Sequence, residues 1–166
     1  MYRLMIGLLL LTACGTRQDI DLKQHRIENF SLERYLGSWY ETERIDNKFE
    51  RGLSQVTAQY YIDENKRIRV VNRGYSDEKK RYKEAKGYIK ETETPGILKV
   101  SFFRPFYSSY VVLDIDREYR YALVGGGSSE YLWILSRTGE IPEGIRKEFI
   151  EKAGNMGYKT EKLRRY

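Results

Sequence analysis

The chain has 166 residues, with 30 Lys+Arg against 24 Asp+Glu, one His, one Cys, 15 Tyr and 2 Trp, which is the size of one ordinary domain rather than two. At 40% hydrophobic and 33% charged, it is too apolar for a disordered chain and too polar for an integral membrane protein. A single His and a single Cys exclude a His/Cys metal cluster, an intrachain disulfide and a bis-His haem site, so no metal, no cofactor and no catalytic residue is expected.

Met1 to Arg3 form a short positive start, Leu4 to Leu11 is almost entirely apolar, and Thr12, Ala13 and Cys14 follow directly. This is a secretory signal layout. The run is too short for a hydrocarbon core that needs about 20 helical residues, so residues 1–13 are expected to be removed as a signal peptide. Leu11-Thr12-Ala13-Cys14-Gly15 also resembles the bacterial lipobox, in which the Cys thiol is lipidated and becomes the first residue of the mature protein. A plain signal peptide with an incidental Cys is the alternative. Acyl chains contribute about 0.8 kcal/mol per buried CH₂ and together hold a protein on a bilayer without spanning it. Under the sorting rule for such lipoproteins, Gly15 rather than Asp after the Cys implies the periplasmic face of an outer membrane. Basic residues are interleaved with acids nearly everywhere, with no basic stripe or motif for nucleic acid.

Residues 14–28 are polar, lack periodicity and hold the only histidine, His25, which reads as a tether. The domain is expected over residues 29–166. Ser31 offers an N-cap for a short helix that Gly37 stops. From Trp39 onward, stretches rich in Val, Ile, Tyr and Phe recur with turn residues between them, the pattern of an all-β antiparallel sandwich or barrel. Eight strands are expected at about 38–46, 54–63, 67–75, 80–91, 97–103, 109–116, 119–125 and 130–137. Alternation assigns faces: Val56, Ala58, Tyr60 and Ile62 share one side, as do Leu98, Val100 and Phe102, and as do Tyr131, Trp133 and Leu135. After Pro142 the period changes, and Ile145, Phe149, Ile150 and Ala153 form the apolar stripe of one helix. Tyr158 to Leu163 offers a short final strand.

Gly37-Ser38-Trp39-Tyr40 opens the first strand and Trp133-Ile134-Leu135-Ser136-Arg137 closes the eighth. Together these motifs resemble the lipocalins, whose fold is an eight-stranded up-and-down barrel with a short N-terminal helix and one C-terminal helix packed outside. In that family the glycine lets the entering helix approach, the Trp plugs the closed end and the Arg lies over the indole. The third family motif, usually Thr-Asp-Tyr, here reads Asp116-Arg117-Glu118-Tyr119, so the Thr is missing. The stretches at 29–41, 49–53, 100–107, 116–120 and 131–137 are similar to the subgroup of bacterial outer-membrane lipoproteins and their relative apolipoprotein D.

The resemblance implies an anchored carrier of fatty acids or lysophospholipids, for storage or transport in envelope maintenance. It places Gly37, Trp39 and Arg137 at the closed end, and the loops at 46–53, 75–80, 103–108 and 125–130 at the open mouth. Val56, Ala58, Tyr60, Val70, Leu98, Val100, Phe102 and Trp133 then give an apolar wall, and Tyr60, Asn72 and Trp133 match lumen-facing positions of apolipoprotein D. The alternative is that these aromatics simply fill the barrel. Parity with Trp39 puts Glu41 and Glu43 on the plug's face. Either one of them meets a cationic head group or an internal Arg or Tyr, or a bulge turns them to solvent. The mouth loop Phe103-Arg104-Pro105-Phe106-Tyr107 concentrates aromatics suited to a membrane interface, and the loop from Gly125 to Ser129 is expected to be mobile. Two other functions stay open: an envelope interaction module with a filled barrel, and a lipocalin-type enzyme, although the nucleophilic version needs a lumen Cys that this chain lacks. A homodimer also stays open.

Overall fold

The computed structural model describes residues 19–166; the expected signal peptide and Cys14 lie outside the described residues. Eight strands follow one another in an antiparallel meander: β1 (Gly37–Ile45), β2 (Leu53–Ile62), β3 (Ile68–Ser76), β4 (Arg81–Glu91), β5 (Ile97–Phe103), β6 (Phe106–Ile115), β7 (Tyr121–Gly125) and β8 (Leu132–Ser136). Both β2 and β8 pair with β1, which closes the sheet into a barrel. Helices α1 (Leu22–His25) and α2 (Leu32–Tyr35) precede it, and α3 (Glu143–Asn155) and the short strand β9 (Leu163–Arg165) follow.

The strands fall within a few residues of the spans expected from alternation, and the shifts have local causes. Strand β6 starts at Phe106, ahead of the expected position, because Phe103 pairs directly with Phe106 across Arg104-Pro105; the polar Ser108-Ser109 pair had hidden this extension. Strand β7 starts late. Tyr119 has a φ of +59°, and the amides of Arg120 and Tyr121 donate to Asp116 Oδ1 at 2.5 and 2.6 Å, which builds the turn.

Two apolar clusters organise the packing. One lies inside the barrel and includes Tyr35, Trp39, Tyr60, Val70, Leu98, Val112, Val124 and Leu135. The other lies outside, where Phe149 and Ala153 of α3 cover Ile45, Val111, Leu113, Leu123, Leu132 and Ile134. Strands β7 and β8 and residues 111–113 of β6 are therefore buried on both faces, which is why they read as continuous apolar runs rather than alternating ones, whereas the equally buried end of β1 carries Glu43 and Arg44. Strands β2 to β4 have only the lumen behind them, and their outer faces carry Gln59, Arg73 and Lys86. Ile62, placed by parity with the inward set, is exposed because β2 runs on past the closed end of the barrel.

The polar segment before residue 29 is not a free tether over its whole expected length. Asp19 bridges to Ser128, the Ile20 amide donates to Gly127 O at 3.2 Å, and the Ile27 amide donates to Val112 O at 3.2 Å. Ile20 is buried in the outer cluster and His25 is half-buried. The segment docks through backbone hydrogen bonds and isolated apolar side chains, so it carries no periodic signal.

Candidate functional site

The closed end is built around Trp39. Its Nε1 donates to Tyr35 O at 2.8 Å, and the Arg137 guanidinium carbon lies 3.8 Å from the indole centroid. Arg137 also donates to the carbonyls of Ser38 (2.8 Å), Arg34 (2.9 Å), Tyr119 (3.2 Å) and Tyr35 (3.3 Å). It thus ties α2, β1 and the β6–β7 turn together. Gly37 has a φ of +95°, and a Cβ there would stand 3.3 Å from Arg137 Nη1, so a side chain would strain both backbone and clamp.

Above this plug three tyrosines share their hydroxyls. Tyr110 lies 2.5 Å from the Tyr35 hydroxyl and 2.8 Å from that of Tyr60. Burial pushes all three phenols up, Tyr60 to about 12, so they stay protonated and serve as neutral donors and acceptors. Tyr60, Val70 and Leu98 are at most 5% exposed and form the floor of the lumen with this cluster.

Higher up the barrel the packing opens. Ala58, Val100, Asn72 and Trp133 point inward yet are only half-buried, and Phe102 is 38% exposed. Val56 sits on the same wall but is buried. The Asn72 Oδ1 atom is buried and has no hydrogen-bond partner among the described residues. A buried unpaired carbonyl oxygen costs about 1–3 kcal/mol, and a donor entering the lumen would recover it.

A β-bulge between Glu41 and Glu43 decides the fate of the two acids. Glu41 pairs with Leu135, which faces inward, whereas Glu43 pairs with Ile134, which faces the outer cluster. Thr42 is the extra residue, and its hydroxyl donates to Ile134 O at 3.0 Å. Glu43 is therefore turned out of the barrel but not into solvent. It is 1% exposed beneath α3, where Arg146 and Arg165 hold its carboxylate. Glu41 faces the lumen and meets Arg44 Nη1 at 2.5 Å.

Arg44 is wholly buried in the seam where β1 parts from β2. Its Nη2 donates to Glu50 O (2.9 Å) and Leu53 O (2.8 Å), which replaces strand pairing there, and Tyr166 stacks on its guanidinium at 3.5 Å. The Glu50 carboxylate completes the group by accepting from Trp133 Nε1 at 2.8 Å and Asn47 Nδ2 at 2.7 Å. Burial, reinforced by the negative charge of Glu50, pushes the Glu41 carboxyl well above the usual range against the pull of Arg44. The upper lumen thus holds two carboxyl groups, one guanidinium and an indole beside an apolar wall. Such a set offers charge and hydrogen bonds to a polar group that reaches it; among these residues no nucleophile is positioned by a base.

Arg44, Glu50, Tyr35 and Tyr110 escaped the sequence reading. The run Glu41-Thr42-Glu43-Arg44 inside a strand was the available signal, since four charged or polar residues in succession cannot all face solvent on a barrel strand. The loop from Gly125 to Ser129 also differs from expectation. Its backbone is bonded to Ile20, Tyr131 and Lys159, and the Tyr158 hydroxyl fills the space where a Cβ on Gly125 would stand, at 2.2 Å. That contact, and not mobility, is what the glycine serves. Outside the barrel, a charged groove of about 490 Å³ lies at the closed end between Glu28, Arg34, Asp116 and Arg117, away from the lumen.

A closed eight-stranded antiparallel barrel, plugged at one end and lined with half-buried apolar side chains at the other, defines a class of small-ligand-binding barrels. Residues 30–166 match the family model described as a lipocalin-like domain, and the chain belongs to the lipocalin family. It is 53% identical over 140 residues to the outer membrane lipoprotein Blc of Vibrio cholerae, covering 82% of each chain. Mouse apolipoprotein D is 35% identical over 126 residues, covering 69% of this chain and 65% of that one. Among solved structures, insecticyanin from the tobacco hornworm Manduca sexta superposes with a TM-score of 0.70 at 16% identity, over 85% of this chain and 82% of that one.

Proposed function

We propose that the protein is a non-enzymatic carrier, anchored through Cys14 on the periplasmic face of an outer membrane, that holds the acyl chain of a fatty acid or lysophospholipid in its barrel. The observation that carries this reading is the exposure gradient along the lumen. Tyr60, Val70 and Leu98 are sealed, while Val100, Phe102, Trp133 and Asn72 above them remain accessible from the mouth. An acyl chain laid on that wall gains about 0.8 kcal/mol per methylene, so roughly ten methylenes supply about 8 kcal/mol. That is the size of a micromolar binding free energy before the cost of association is subtracted, and a longer chain offsets part of that cost. The outer membrane lipoproteins among its relatives support the location, and the lipobox-like Leu11-Thr12-Ala13-Cys14-Gly15 supports the anchor.

In this arrangement the acyl tail rests on the floor and wall, and the head group reaches Glu41, Glu50 and Arg44. A cationic ethanolamine matches the two carboxyl groups better than a free carboxylate does. Glu41→Gln is expected to weaken lysophosphatidylethanolamine binding without weakening binding of a fatty acid of equal chain length. Equal loss of both would show that Glu41 serves only the shape of the lumen.

A further inference from the structure

The first described residues lie at the open mouth. Asp19 bridges to Ser128 and Ile20 donates to Gly127 O, both partners belonging to the β7–β8 connection. Cys14 stands five residues upstream in the sequence, and five extended residues reach about 17 Å. An acyl group on Cys14 would therefore hold the mouth, rather than the Trp39 plug, beside the lipid.

The surface at that end has a distinct chemistry. Phe103 is 80% exposed and Phe106 79%, standing opposite each other at the tip of the β5–β6 hairpin, and Phe49 in the β1–β2 loop is 67% exposed. These three phenyl rings are the most exposed large hydrophobic side chains among the described residues. Exposed apolar clusters of this kind mark interaction sites. Lys48 and Arg51 in the β1–β2 loop, Lys80 and Lys83 at the β3–β4 turn and Arg104 at the β5–β6 turn are exposed at the same end and outnumber the exposed acids there, Asp46, which pairs with Arg51, and Asp77, Glu78 and Glu84. Apolar side chains at a tip with a cationic surplus beside them fit the boundary between acyl chains and anionic head groups.

We propose that the mouth rim is a docking surface for a phospholipid bilayer containing anionic lipid, with Phe49, Phe103 and Phe106 seated in its interface. Docked this way, the lumen opens directly onto the membrane, and an acyl chain passes between the two without crossing water. The three rings lie outside the lumen, so this surface and the carrier reading stand or fall separately.

The test uses the full chain reconstituted in vesicles of phosphatidylethanolamine and phosphatidylglycerol, with brominated phospholipids as quenchers. Phe103→Trp adds an indole at the rim, and Asn65→Trp adds one in the β2–β3 turn at the opposite end. The docked orientation is expected to quench most of the emission added at position 103 and none of that added at 65. Emission at 103 no more quenched than that of the parent chain, or quenching at 65 instead, would overturn the proposal. Should mass spectrometry find Cys14 unmodified, the same chains are floated with the vesicles, and a parent chain that fails to float overturns it equally. Combined Phe49→Ser, Phe103→Ser and Phe106→Ser is expected to abolish the rim's contact while leaving ligand titration of the lumen unchanged; loss of titration instead would mean that the rings belong to the lumen and not to a docking surface.

Discussion

Glu41 is the residue whose chemistry depends most on its neighbours. Burial and the charge of Glu50 raise its carboxyl well above the usual range, so between its ordinary value and the raised one the folded chain binds more protons than the unfolded chain. Stability contributed at this site therefore falls as pH rises through that window. Replacing Glu50 by Gln removes the neighbouring charge and should lower the Glu41 midpoint in a carboxyl carbon NMR titration; an unchanged midpoint would contradict the coupling. The phenol cluster gives a second expectation. Tyr110 bridges the hydroxyls of Tyr35 and Tyr60, and Tyr110→Phe should cost about 1–3 kcal/mol by leaving buried hydroxyls short of a partner, as read by urea unfolding. No loss would mean that the other two tyrosines satisfy each other.

At the scale of elements, the plug and the β6–β7 turn hold the closed end. Arg137→Lys keeps the charge but loses the planar stack on Trp39 and most of the four carbonyl contacts, with an expected cost of about 1–3 kcal/mol and a lower melting temperature. In the turn, burial opposes ionisation of Asp116, but the amides of Tyr121 and Arg120 outweigh it and hold the carboxyl below the usual range. Its stabilisation is present above the ordinary carboxylate pKa and is lost as pH falls through the lowered value. Asp116→Asn should accordingly destabilise the protein near neutrality, and its deficit should shrink in acid unfolding curves. A deficit independent of pH would contradict this. Strand alternation, the 3.6-residue stripe of α3 and the two end motifs were legible because each is a periodic or paired signal set by the barrel itself. The bulge at Thr42 was not, since no glycine or proline marks it and only the pairing with β8 reveals the parity change. Docking of the segment 19–28 onto the barrel was hidden for a related reason: main-chain bonds to Gly127 and Val112 leave no trace in side-chain pattern.

At the scale of the whole molecule, the barrel divides into a sealed lower core and an accessible upper lumen, and the apolar wall at 98–102 spans the transition between them. That division was only partly legible. Tyr60, Val70 and Leu98 alternate correctly for the lumen, but composition cannot say how deep the floor rises, which depends on the shared hydroxyls of residues from α2, β2 and β6. Trp39 is fully buried under Arg137, whereas Trp133 is half-buried in the upper lumen with its Nε1 on Glu50. Ligand entry should therefore be reported by Trp133 alone. The most direct measurement is native mass spectrometry of the purified protein, followed by delipidation and fluorescence titration with lysophospholipid and fatty acid of equal chain length, with Trp133→Phe as control. A carrier shows a co-purifying lipid and saturable quenching that the Trp133→Phe chain lacks. No adduct and no quenching would mean a barrel filled to its mouth and would contradict the carrier reading in favour of an interaction module.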